Sequence, residues 1–280
     1  MKRIISLMAL LFLAPVIPAQ TQTQQKSKDQ SPGIQDNSFL IEEAYNQEDG
    51  VVQHINSFML QRNRDWIYAF TQEWPFFGSK HQLSYTIPVQ RMGSAPDGGK
   101  GLGDVALNYR YQLIGDGKSR IACSPRFSLL LPTGDEKKGL GAGGLGLQVN
   151  VPVSVLLTKK LVTHINAGAT YTPSAKSAGG DEDNTMGYNL GESFIWLATP
   201  TFNVMLETVW NRVETVVGPN LKERDYSLLI SPGIRWAYNF ENGLQIVPGI
   251  AVPIGAGPSR NDYGVILYLS FEHRFKKERK

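Results

Sequence analysis

Twelve stretches of the chain alternate apolar and polar residues, and the gaps between them follow a rhythm. From Val105 the odd positions read Val105, Leu107, Tyr109, Tyr111 and Leu113, against Ala106, Asn108, Arg110 and Gln112 between them. From Leu145 the apolar set is Leu145, Leu147, Val149, Val151, Val153, Val155 and Leu157, against Gln148, Asn150 and Ser154. The stretch from Leu161 sets Ile165, Ala167, Ala169 and Tyr171 against His164, Asn166 and Thr170, with Thr163 as a polar exception. A period of two marks a β-strand with one apolar and one polar face. The alternation outlasts the ~5–6 residues of an ordinary strand and reaches the ~9–11 that a membrane-spanning strand needs. The pattern predicts an all-β fold, a transmembrane antiparallel up-and-down β-barrel of about 12 strands.

The predicted strands cover 51–60, 65–74, 80–90, 103–113, 119–131, 144–157, 161–172, 187–198, 201–212, 225–238, 244–254 and 262–274. Pro125, Pro152 and Pro248 each remove a ladder donor, so bulges are expected there. Gaps 92–102, 132–143, 173–186, 213–224 and 255–261 read as loops, while 75–79, 114–118, 158–160, 199–200 and 239–243 read as tight turns. Only the first gap, 61–64, is short where a loop is due. An even strand number puts both termini on one side, the periplasm in bacterial barrels, with the longer loops outside. Trp66, Trp74, Trp196, Trp210 and Trp236 fall near strand ends or on the apolar phase, as aromatic girdles do.

Residues 1–19 read as a signal peptide: Lys2 and Arg3, an apolar run from Ile4 to Ile17, and a cleavage site at Ala19. No other run approaches the ~18 apolar residues of a membrane helix. Residues 20–50 are polar and read as a flexible periplasmic lead-in, with a short helix or a lumenal plug as alternatives. The barrel then occupies 51–275, and 276–280 form a basic tail. The expected location is the outer membrane of a Gram-negative bacterium.

Mean hydropathy is −0.22, which does not separate a barrel from a soluble protein, since lipid-facing and lumen-facing residues average out. The net charge is +3; without Lys2 and Arg3 there are 26 basic against 25 acidic residues, and nothing points to nucleic acid. Cys123 is the single cysteine, so no internal disulfide forms; it is expected to face lipid in phase with Ile121, Pro125 and Phe127.

Two motifs go beyond pattern. Gly101-Leu102-Gly103-Asp104-Val105 opens the fourth strand, and Leu131-Pro132-Thr133-Gly134-Asp135 closes the fifth, ahead of the glycine-rich 139–144. Physically they read as rim architecture: glycines for sharp turns, Pro132 to stop the ladder, and Asp104 and Asp135 to accept from loop amides. A substrate or cation site at the pore mouth is the alternative. At this spacing the pair resembles the outer-membrane family named for the MetA pathway of phenol degradation, over about Ser57 to the C-terminus. The resemblance implies an outer-membrane barrel taking up small, including aromatic or other hydrophobic, molecules. One departure is that Phe275, where such barrels commonly end, is followed by five more residues.

The polar phases place Asp104, Asn108, Arg110, Gln112, Arg120, Arg126, Gln148, Asn150, His164, Asn166, Glu207, Arg235, Gln245, Glu272 and Arg274 in the lumen. They read as a charge-paired interior that fills a narrow barrel, or as the lining of a pore. Ser124, Ser128 and Ser154 also point inward, but nothing singles one out as a nucleophile beside His164, and an enzyme is not expected. The run Asp181-Glu182-Asp183-Asn184 reads as a solvated loop, with calcium as the weaker alternative; no cofactor or resident metal is expected. The expected partners are outer-membrane lipid and lipopolysaccharide, the barrel-assembly machinery and a small-molecule cargo. The rival readings are a barrel that displays its loops without transport, and a secreted soluble β-protein.

Overall fold

The computed structural model describes residues 37–93 and 99–274. The expected signal peptide, most of the expected lead-in, Phe275 and the basic tail lie outside the described residues. Sixteen strand segments form one antiparallel sheet, and four pairs of segments are pieces of single interrupted strands, which leaves twelve. They are β1 (Val51–Gln61), β2 (Trp66–Pro75), β3 (His81–Met92), β4 (Gly99–Leu102 and Val105–Tyr111), β5 (Ile121–Cys123 and Arg126–Leu131) and β6 (Gly146–Thr158). There follow β7 (Leu161–Lys176), β8 (Glu182–Thr199), β9 (Phe202–Gly218), β10 (Leu221–Trp236 and Tyr238–Asn239), β11 (Gln245–Ala251 and Ile254–Gly255) and β12 (Gly264–Arg274). Each pairs with the next, and β12 returns to β1 from Val51↔Arg274 to Gln61↔Gly264. The sheet is therefore a closed barrel with no free edge, the one β architecture that satisfies its backbone inside a bilayer.

The alternation sorts side chains as the pattern predicts. On β4, Leu107 is 44% exposed on the outer wall, while its inward neighbours Asn108 and Arg110 are 5% and 4% exposed. Large apolar residues are exposed around the outer wall, among them Val149, Phe194, Leu206, Ile250 and Leu267, and polar residues fill the inside. This inversion of a soluble core excludes the secreted soluble reading: an outer wall of this composition needs hydrocarbon against it.

The prolines mark real interruptions. The break in β5 at Ser124-Pro125 faces Pro152 of β6, where the Ser124 N–H still reaches the Pro152 carbonyl at 3.3 Å. The break in β11 at Val252-Pro253 faces Pro232 of β10 in the same way, with Val252 N–H to Pro232 O at 3.0 Å. Pro248, by contrast, leaves the β11–β12 register unbroken. Cys123 is buried instead of exposed to lipid; it sits at the β5 break, bridged to Ile114 and paired with Val153.

Two predicted loops are mostly strand. β9 runs on to Gly218 and β10 begins at Leu221, so 213–224 is a hairpin tip with a two-residue turn, Asn220 taking a φ of 52°. Likewise β7 reaches Lys176 and β8 begins at Glu182. The loop after β5 remains a loop, with one 3₁₀ turn over Glu136–Lys138.

Candidate functional site

The lumen holds a segment of the chain itself. Residues 37–49 run along the inner wall near the end where the described chain starts and finishes, passing from β10 round to β1 before entering the sheet at Val51. We call this segment the belt. It has no sheet partner; wall side chains satisfy its backbone instead. Glu207 of β9 accepts the amides of Phe39 (3.1 Å) and Leu40 (2.9 Å). Asn166 of β7 accepts from Glu42 N–H (2.9 Å) and donates to Glu42 O (2.7 Å), imitating a strand neighbour with one side-chain amide. Ser154 takes the Ala44 N–H at 2.8 Å. Gln112 donates to Ala44 O (2.8 Å) and accepts from Asn46 N–H (2.9 Å). Gln82 accepts from Gln47 N–H at 2.7 Å, and Arg235 donates to the Asn37 carbonyl.

The wall is also shaped for the belt. A methyl group on Gly191 would strike Ile41, and one on Gly233 or Gly249 would strike the Phe39 ring. Glycine within a strand marks a close approach of another group, and here the group is the belt. Phe39 also lies 5.1 Å from the Tyr268 ring, and the Arg235 guanidinium lies over the same ring, 5.3 Å from its centre. Sequence reading carried a lumenal plug only as an alternative to a flexible lead-in. The segment has no periodicity of its own, and its partners lie as far away as Arg274, 226 positions from Glu48. Glycines on the polar phase of β8, β10 and β11 were the one available signal.

Charge concentrates where the belt crosses β4. Arg110 faces Glu43 at 3.6 Å, Glu73 at 3.9 Å and Glu42 at 4.0 Å, and donates to the carbonyls of Glu43 (3.2 Å) and Tyr45 (2.6 Å). Arg126 pairs with Glu42 at 2.8 Å and donates to Gln148 at 2.8 Å. Asn108, Asn150, His164, Glu207 and Arg235 are buried in the lumen. Glu272 accepts from Gln53 at 2.7 Å near the terminal end, where Gln245 bonds Asn239 at 2.7 Å. Arg274 lies at the rim and pairs with Glu48 at 3.4 Å. Arg120 is placed differently: it is exposed in the turn before β5 and not inside the barrel, because β5 starts only at Ile121. Sequence reading did not select Glu42, Glu43 or Glu73.

The two motifs form one clamp. The Asp104 carboxylate accepts from the Gly134 amide at 2.9 Å and the Ala142 amide at 2.8 Å, pinning both ends of the loop after β5. Thr133 Oγ1 donates to Gly103 O (2.7 Å) and accepts from Val105 N–H (3.0 Å). The pinned loop is tucked in, with Leu140 buried and its carbonyl accepting from Gln90 at 2.8 Å. Asp135 caps the 3₁₀ turn and pairs with Lys138 at 2.6 Å; that ammonium holds its carboxyl below the usual carboxylate range.

Three cavities follow one another. One of about 620 Å³ lies beneath the tucked loop, between it and the tips of β7–β9. It shares Ala142, Thr185, Val213 and Glu214 with a middle cavity of about 420 Å³. That one shares Leu40, Ile41, Glu42 and Arg126 with a third of about 220 Å³ beside the belt. The free space therefore tapers from the loop end to the terminal end. The Arg126–Glu42 pair stands at the junction of the middle and third cavities.

Ser154 Oγ lies 2.7 Å from His164 Nδ1. Both residues are fully buried, Ser154 is already engaged by the belt, and neither lines any of the three cavities. The pair is a strut under the belt. In the acidic run, Glu182 pairs with Lys176 at 3.3 Å and Asp183 with Lys222 at 3.5 Å. Among the described residues no group of three or more His, Cys, Asp or Glu is placed to hold a metal ion.

A closed barrel of even strand number, apolar outside and polar inside, is an outer-membrane β-barrel. Among solved structures, the COG4313 outer membrane channel from Pseudomonas putida F1 is similar, with a TM-score of 0.58 and 13% identity over 83% of this chain and 98% of that one. The NanC porin is similar with a TM-score of 0.53 and 10% identity over 80% of this chain and 100% of that one. At these identities the likeness is one of fold. No family model matches the sequence, and no curated protein is similar to it in sequence.

Proposed function

We propose that this chain is a passive channel for small molecules in the outer membrane of a Gram-negative bacterium, with its termini in the periplasm. The observation that carries the reading is the series of three cavities along the barrel, which shrink from about 620 to about 220 Å³ toward the belt, with Arg126 and Glu42 between the second and the third. Twelve strands give a bore between that of eight-stranded barrels, filled by side chains, and that of open porins. The belt reduces it further, so the cargo is small. The family resemblance adds hydrophobic or aromatic molecules as candidate cargo, and the leucine, isoleucine and valine side chains in the middle cavity suit such bodies. In this reading residues 1–19 are removed on export, the barrel-assembly machinery inserts the chain, and lipopolysaccharide surrounds its outer rim.

The belt itself favours a second reading, a closed barrel that displays its loops. Planar-bilayer recording of the purified full-length protein separates the two. A channel gives discrete conductance steps and solute flux into liposomes; silence in both assays supports the display barrel.

A further inference from the structure

We infer that the channel selects for uncharged, hydrogen-bonding solutes and against net charge of either sign, and that the Arg126–Glu42 pair sets this selection. The inference rests on the channel reading. The uncharged polar part of the middle cavity's wall is amides and hydroxyls, among them Gln148, Asn150, Asn166, Thr170, Asn189 and Asn211. Several already bond one another: Asn150 donates to Asn166 at 2.9 Å, Asn189 to Asn150 at 3.3 Å and Gln148 to Thr170 at 2.9 Å.

Every charged side chain lining this cavity is in an ion pair. Arg126 pairs with Glu42 at 2.8 Å, and Glu214 pairs with Arg212 at 2.7 Å and Arg224 at 3.2 Å. Counted with the groups they pair with, the charges around the cavity balance, Arg110, Arg126, Arg212, Lys222 and Arg224 against Glu42, Glu43, Glu73, Asp183 and Glu214, so an ion entering loses water without meeting a net counter-charge. At the junction with the third cavity it must also break into the Arg126–Glu42 pair. A neutral polar solute exchanges its water hydrogen bonds for amide ones at small net cost. The apolar floor, Leu40, Ile41 and Val209, accepts the less polar side of such a molecule.

Three sugars of one size test this: glucose, gluconate and protonated glucosamine, in a liposome-swelling assay on the full-length protein. Glucose should enter several-fold faster than either charged sugar, and salt-gradient recordings should give a reversal potential near zero. Arg126→Gln takes from Glu42 its nearer cation, leaving Arg110 at 4.0 Å, and should turn the pore cation-selective; Glu42→Gln removes the carboxylate beside Arg126 and should turn it anion-selective. Asn189→Asp adds a carboxylate to the same wall without breaking a pair, and should also give cation selectivity if the first two variants fail to fold. Equal or faster entry of a charged sugar, strong selectivity in the unaltered protein, or variants shifting selectivity the same way overturns the inference and leaves the channel standing. No flux of any solute or ion ends both.

Discussion

Arg110 is 4% exposed and sits among Glu42, Glu43 and Glu73, while its guanidinium also serves two belt carbonyls. A charge buried so deeply is tolerated because its partners replace water, and removing it takes the neighbouring cation from Glu43 and Glu73 while Glu42 keeps Arg126. Arg110→Met should therefore cost on the order of 3–5 kcal/mol. Urea titration of the folded, heat-modifiable band on gels reads this directly, and an unchanged midpoint would show that the cluster carries no stability. Gly249 makes the opposite kind of point. Its replacement by valine puts branched carbon where the Phe39 ring now lies and against the flexible Arg235 side chain, with the backbone left in the sheet. The barrel should fold as before and the belt should lift from its seat, seen as larger conductance steps. Sequence could place both residues on the inward phase, because phase depends only on counting by two. It could not say what Arg110 pairs with or why position 249 is glycine, since both answers lie in a distant segment.

At the scale of elements, every one of the twelve strands was legible, because a wall between lipid and water enforces alternation residue by residue. The hairpin tips were not. In 213–218 valines fall on both phases, Val213 and Val217 on one and Val216 on the other, and 222–224 are all charged, so these stretches do not alternate and read as loop, although β9 and β10 stay paired from Phe202↔Trp236 to Gly218↔Leu221. The belt was illegible for a related reason: it is extended without being in the sheet. Its hydrogen bonds go to side chains, so no periodic pattern is imposed. The clamp lies between these cases, since its residues stood out but their partners did not. Asp104→Asn keeps the size of the side chain and weakens two charge-assisted bonds to the loop after β5. Trypsin added to intact cells should cut faster at Lys137 or Lys138, with the barrel's denaturation midpoint unchanged. An unaltered cutting rate would mean that Leu140 and Gln90, not the carboxylate, hold the loop down.

For the molecule as a whole, the outer wall and the tips divide into a part that meets lipid and a part that stands in water, and two leucines separate them. Leu267 is 51% exposed on β12, with Phe58 and Ile250 as its cross-strand neighbours, inside the apolar face. Leu221 is 58% exposed at the β9–β10 tip, opposite Gly218. Solvent exposure alone would rank them alike, and in a water-soluble protein arginine at either would be harmless. In a bilayer, arginine on the lipid face costs ~2–4 kcal/mol at the midplane and ~0–1 kcal/mol near the interfaces. Leu267→Arg should therefore lower the folded fraction in lipid vesicles substantially, while Leu221→Arg should leave it nearly unchanged. In detergent micelles, which deform around a charge, the gap should narrow. Equal costs in vesicles would mean either that the tip is embedded or that the outer wall is not the lipid face, and the second outcome would remove the membrane from every step of the functional reading.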